Sequence, residues 1–176
     1  MPFTPLHMGP ALLLKVAVGP RFSLTMYGLA QIAMDIEPLV RIVRGDAVLH
    51  GPTHTYLGAV LIGLSVAVVA RPLCNVLLRA WGAVLRPFGL AWLTDGASVG
   101  WRVGVSSALI GTISHILLDS FMHRDIRPLA PFSDWNGLVD LVPISSLNSF
   151  CIAAGGLGVL GWIVRRWRQA STKRQA

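Results

Sequence analysis

The sequence predicts an all-α bundle of membrane helices, and three observations predict it. Hydrophobic residues make up 53% of the chain and charged residues only 13%, whereas an ordinary soluble domain carries about 25% charged residues. Residues 53–70, 103–122 and 141–164 form three apolar stretches, each long enough, or nearly so, to cross a hydrocarbon core, which takes about 20 apolar residues. The basic residues punctuate these runs rather than gathering on one face, which is how membrane topology is written. At 176 residues a single membrane-embedded domain is expected over 1–176.

In chain order, residues 10–18 and 22–34 are apolar segments separated by the breaker Gly19-Pro20-Arg21, and they predict an N-terminal helical hairpin. Pro38 is expected to end its second arm. Pro52 is placed to begin the first long span, and Arg71 to end it. Residues 73–85 carry Arg79, are flanked by Arg71 and Arg86 and are stopped by Pro87. An amphipathic helix lying at the interface suits them better than another span. Glycines recur in the spans, among them Gly63, Gly111 and Gly158, and let helices approach closely. The last span runs into Arg165-Arg166-Trp167-Arg168, which opens a basic tail over 165–176 held near anionic lipid.

Other features set limits. A net charge of +7 and a pI near 10.7 would suit nucleic acid only with a basic face that reaches bases or phosphates, so membrane lipid is the expected partner and nucleic acid is not. Cys74 and Cys151 lack CxxC spacing and read as small core residues. The N-terminus lacks the basic start and small-residue cleavage site of a secretory signal and is expected to be retained.

Charge placement predicts orientation. With the Gly19-Pro20-Arg21 turn, residues 71–102 and the C-terminal tail on one side, that side holds 11 of the 15 basic residues. Lys and Arg are retained in the cytoplasm. The expectation is a multi-pass protein of a prokaryotic inner membrane, C-terminus inside. All five histidines and every acid but Asp95 fall on or near the outer side.

The sharpest motif is the His-x3-Asp-x3-His run of His115, Asp119 and His123. Residues four apart share a helix face, so neighbours in this trio can share a metal, while the outer two are separated by about 12 Å of rise. The arrangement that uses all three puts Asp119 between two ions, with His115 on one and His123 on the other. Paired metals about 3.5–4 Å apart recur in ester and amide hydrolysis. A plain hydrogen-bonded polar stripe is the bland alternative, but ionisable groups at membrane depth are costly and usually functional. In His50-Gly51-Pro52-Thr53-His54, His54 is the better ligand, expected in the first turn of the span. His50 reads equally as a second ligand, a donor to substrate or a loop residue. Asp35 and Glu37, beside Pro38, offer ligands or a general base at a helix end, and the hairpin would bring His7 beside them.

These motifs, taken in order, resemble the YdjM-type (DUF457) membrane-bound metal-dependent hydrolases: an N-terminal His, an acidic pair after the first hairpin, Gly-x-Thr-His at the start of a span and a His-x3-Asp helix. The resemblance covers roughly residues 1–135 and implies metal ligation by His7, Asp35, His54, His115 and Asp119. It also suggests a distant likeness to zinc-dependent phospholipase C and nucleases. Two departures are visible: the acidic pair, often Asp-x-Asp in that family, is Asp35-x-Glu37 here, and His50 stands where an Arg commonly precedes the Gly-x-Thr-His.

The expected function is therefore a membrane-bound, metal-dependent hydrolase acting at the outer surface on a lipid phosphodiester or another amphiphilic ester. Mixed His and carboxylate ligands suit zinc best, with manganese or iron as alternatives and two ions accommodated, and Glu37, or Asp35 where it is not itself a firm ligand, would orient the water as base. A zincin is excluded, because His-Glu-x-x-His is missing and Glu37 is the sole glutamate. The rival reading, different in class, is a non-catalytic membrane protein whose cluster holds a structural metal or passes an ion.

Overall fold

The computed structural model describes residues 5–90 and 98–175, with side chains as far as residue 169. Among the described residues the fold is entirely helical, as the composition predicts. Its α-helices are α1 (Met8–Val18), α2 (Leu24–Arg44), α3 (Tyr56–Leu85), α4 (Trp101–Met122) and α5 (Ile144–Gln175). Short 3-10 turns at Pro5–His7, Gly19–Arg21, Pro52–His54 and Arg86–Phe88 join or cap them. Three segments, Tyr56–Phe88, Trp101–Met122 and Ile144–Gln169, are long and apolar enough to cross a membrane. Asp95, the acid expected on the cytoplasmic side, lies outside the described residues.

Cross-helix contacts fix the directions. Ser23 meets Ser107 and Gln31 meets Gly111, so α2 and α4 run the same way. Gly63 faces Leu109 and Thr112, while Arg71 Nε bonds the Val99 carbonyl at 2.8 Å, so α3 runs opposite to α4. Gly9 approaches Cys151, and Gly158 approaches Leu12, so α1 and α5 run together. The chain thus alternates direction from α1 to α5, and one end of the bundle collects the start of α1, the second half of α2, the start of α3 and the end of α4. The core between α2, α3 and α4 is built on Met26, Ala30, Val66, Ala67, Cys74 and Ala108.

The N-terminal hairpin forms, yet α1 packs mainly along α5 and only lightly on α2. Ser23 caps α2 by accepting from Met26 N at 3.2 Å, and Gly45, at φ 74°, supplies the left-handed residue that ends it.

Two helix ends differ from expectation, both at proline. Pro38 does not end α2, which continues to Arg44. A proline inside a helix costs about 3 kcal/mol, but Pro38 is fully buried and its packing offsets the lost hydrogen bond. Asp35 and Glu37 therefore lie within the helix and not at its end. Residues 73–85 are likewise no separate interfacial helix: α3 passes through Pro72 as one helix of 30 residues, about 45 Å long. The physical reason is tertiary. Arg71 finds both the Val99 carbonyl and the face of Trp101, 4.5 Å from its guanidinium carbon, and Cys74 is buried in the α2–α3–α4 core, so the helix is held against its neighbours beyond the charge that was expected to end it.

Candidate metal centre

The histidine-rich end of the bundle is assembled from four places in the chain. The 3-10 turn before α1 presents His7, the middle of α2 presents Asp35, the turn before α3 presents His54, and the last two turns of α4 present His115 and Asp119. All five side chains are buried. His54 precedes α3 instead of occupying its first turn, because residues 52–54 wind as a 3-10 turn and Thr55 caps the helix from outside, accepting from Gly58 N at 2.9 Å.

The distances are those of a shared site. Asp119 Oδ1 lies 3.4 Å from His7 Nε2, and Asp119 Oδ2 lies 3.1 Å from His115 Nε2 and 3.7 Å from His54 Nε2. Asp35 Oδ1 lies 3.4 Å from His115 Nε2. Ligand-type atoms of His7, His115 and Asp119 lie within 4.8 Å of one another, as do those of Asp35, His54 and His115, and those of His50, His54 and Asp119. The Nε2 atoms of His7, His54 and His115 are buried without a hydrogen-bond partner. Buried polar atoms are nearly always paired, and three such atoms converging on two carboxylates could hold a cation between them.

The outer nitrogens show which way the lone pairs point. Gln31 Nε2 donates to the Gly111 carbonyl at 2.9 Å, which turns Gln31 Oε1 toward His115 Nδ1 at 2.6 Å. That oxygen can only accept, so Nδ1 carries a proton, and in the neutral ring Nε2 of His115 is the nitrogen with the lone pair. Thr53 repeats the logic: its hydroxyl proton goes to the Glu37 carboxylate, so Thr53 Oγ1 accepts from His54 Nδ1 at 3.0 Å and His54 Nε2 is left open. Asp125 Oδ1 accepts from His50 Nδ1 at 2.9 Å, while Asp125 Oδ2 takes the amides of Leu49 and His50. Oxygen acceptors behind ligating histidines are the usual outer layer of a metal site. Burial lowers His54 to about 3, helped by the neighbouring His115 and His50, which keeps its ring neutral. Burial would raise the Asp125 carboxyl, but the hydrogen bonds from the His50 ring and the loop amides outweigh it and hold it at about 2.

Glu37 does not sit among the converging nitrogens. Its oxygens are held by Thr53 N at 3.0 Å, the Thr53 hydroxyl and Arg41 Nε at 2.9 Å. Gly51 makes that possible, since a Cβ there would overlap the Glu37 carboxylate.

His123 also departs from the helical expectation. α4 ends at Met122, and His123 has extended backbone angles, φ −122° and ψ 122°, so it leaves the helix face that carries His115 and Asp119. Its ring rests on His50, centroids 4.4 Å apart, and it groups with His50 and Asp125. In its place His7 and His54 flank Asp119. Gln31 and Asp125 were missed by the sequence reading. Asp125, two residues after His123, was visible as a charge, but its pairing with His50 crosses 75 positions.

Two cavities reach the site. One of about 350 Å³ is lined by His7, Gln31 and Asp35 with Met8 and Ile32, and opens between α1 and α2. A wider groove of about 570 Å³ passes His50 and Asp125. No solved structure and no curated protein matches the chain. A family model does match, over residues 1–176, and by it the chain belongs to the family DUF4184, described as a domain of unknown function.

Proposed function

We propose that this is a membrane-bound, metal-dependent hydrolase whose divalent ion is held by His7, Asp35, His54, His115 and Asp119, with His50 extending the set toward a second ion. The observation that carries the reading is the convergence of three partnerless, buried Nε2 atoms on two carboxylates. The donors, imidazole and carboxylate, suit zinc best. A bound ion of this kind lowers the pKa of water and polarises an ester.

The chain's own residues supply the rest. Gln31, Thr53 and Asp125 hold the imidazoles in the ligating tautomer. Asp35 turns Oδ1 toward His115 Nε2 and the ion, and its second oxygen, beside the cavity between α1 and α2, would hold the proton taken from water. Glu37 acts behind His54 as a positioning residue. The excess of Lys and Arg at the opposite end of the bundle supports a site on the outer face of a cytoplasmic membrane, and that location favours an amphiphilic ester, a lipid phosphodiester foremost. The resemblance of the motif order to the YdjM-type hydrolases points the same way.

One observation favours a second reading. His54 and His115 are almost wholly buried, 0% and 1% exposed, and closed ligand sets hold structural ions. Metal content per chain, measured on protein purified without chelator, together with turnover of a lipid phosphodiester panel, tests both. Stoichiometric metal with turnover supports the hydrolase; stoichiometric metal without turnover selects the structural ion; no metal sinks both.

A further inference from the structure

We infer that the groove beside His50 is the substrate cleft and that it takes an anionic phospholipid from the surrounding bilayer, a deepening that rests on the hydrolase reading. The groove, about 570 Å³, falls in the usual range for small-molecule sites of about 300–1,000 Å³. It reaches the metal centre through His50, which both lines the groove and groups with His54 and Asp119.

Its two walls differ in chemistry. One is the outward side of α3, where Leu57 and Leu61 are 51% and 58% exposed and continue the apolar surface of a helix long and apolar enough to cross a membrane. The other is the loop after α4, which brings Arg124 and Arg127. Their partners are Asp140, 2.6 Å from Arg124, and Asp134, 2.9 Å from Arg127. Both pairs are exposed, and exposed ion pairs contribute little, so either guanidinium exchanges its carboxylate for a phosphate at small cost. Asp125 adds no free anion, because its oxygens are committed to His50 and to two loop amides. An acyl chain against Leu57 and Leu61, with its phosphate at Arg124 and Arg127, puts the ester linkages toward His50. Planar guanidinium forks match phosphate oxygens in pairs.

The experiment uses the full chain in detergent with its metal retained, titrated with phosphatidylglycerol and with phosphatidylcholine of the same acyl chains. Phosphatidylglycerol is expected to bind at least about tenfold more tightly, and Arg124→Gln with Arg127→Gln to remove that preference, the loss expected for charge-assisted hydrogen bonds. Leu61→Gln should weaken both lipids. Because these side chains are exposed, metal content and melting temperature should stay at wild-type values and report that the variants are folded. Equal binding of the two lipids, or a preference that survives the double substitution and so belongs to the basic end of the bundle, overturns the inference. An arginine-dependent preference in protein that carries no metal supports the cleft while removing the hydrolase.

Discussion

Thr53 gives its hydroxyl proton to Glu37, and for that reason it can only accept from His54. The glutamate thus reaches His54, a candidate ligand, through one intervening oxygen. Glu37→Gln should weaken metal binding by about 10- to 100-fold, the usual cost of losing such an outer contact. Thr53→Val should do the same, since it removes the same relay from the other side. Competition with a chelator of known affinity reads both. A Glu37→Gln variant that keeps full metal affinity but loses turnover would instead make Glu37 the base.

Gly9 ties helix packing to the site. A Cβ there would overlap the Cys151 carbonyl where α1 crosses α5, and neither backbone can move aside without shifting α1. Gly9→Ala should cost about 1–3 kcal/mol in overpacking and, because His7 lies two residues earlier, should also lower metal affinity. Gly156→Ala, on the same α5 but with open space around it, is the control. Thermal denaturation and metal content measured together distinguish the two, and a Gly9→Ala protein with full metal content would separate packing from ligation.

The long apolar spans and the gathering of the histidines at one end of the bundle were legible in the sequence because each depends on composition along one segment. Pro38 and Arg71 were each expected to end a helix, and neither does, because the outcome depends on what packs around them: Pro38 is buried, and Arg71 finds the Val99 carbonyl and the face of Trp101. His123 was assigned to the face of Asp119 by counting in fours, which holds only while the helix continues, and α4 stops one residue earlier. Gln31 was invisible for another reason. An amide in an apolar helix gives no sign of its role until the fold places His115 against it, 84 positions away.

Asp125 makes one contribution to stability that depends on pH. Its carboxyl falls from 3.8 to about 2, burial being outweighed by bonds from His50 and the loop amides. A carboxylate whose folded value is depressed adds stability that is fully present above the unfolded value and is lost as pH falls through the folded one. Wild type should therefore melt higher than Asp125→Asn at neutral pH, and the gap should close between pH 3.8 and about 2. Melting curves of the two proteins across that window test it; a gap independent of pH would mean that the shape of the side chain, and not its charge, holds the loop.

Asp119 is the carboxylate that the rest of the candidate site shares. One of its oxygens faces His7 and the other faces both His115 and His54, so each histidine can be lost with the remaining donors still in place, whereas loss of the carboxylate removes the one group that faces all three of them. Asp119→Asn should accordingly release more metal than His7→Ala or His54→Ala, and His123→Ala should release least, because that ring lies with His50 and Asp125. Stability in detergent should follow the same order, since a ligand that neutralises cations in a buried site leaves uncompensated charge when removed. Asparagine keeps the shape and one neutral oxygen, which would be enough for a hydrogen bond to an imidazolium but not for holding a divalent ion against three neutral imidazoles. Elemental analysis of the four variants, each checked for a folded far-ultraviolet spectrum, decides between these, and an Asp119→Asn protein with the metal content of wild type would reduce the cluster to a buried polar network.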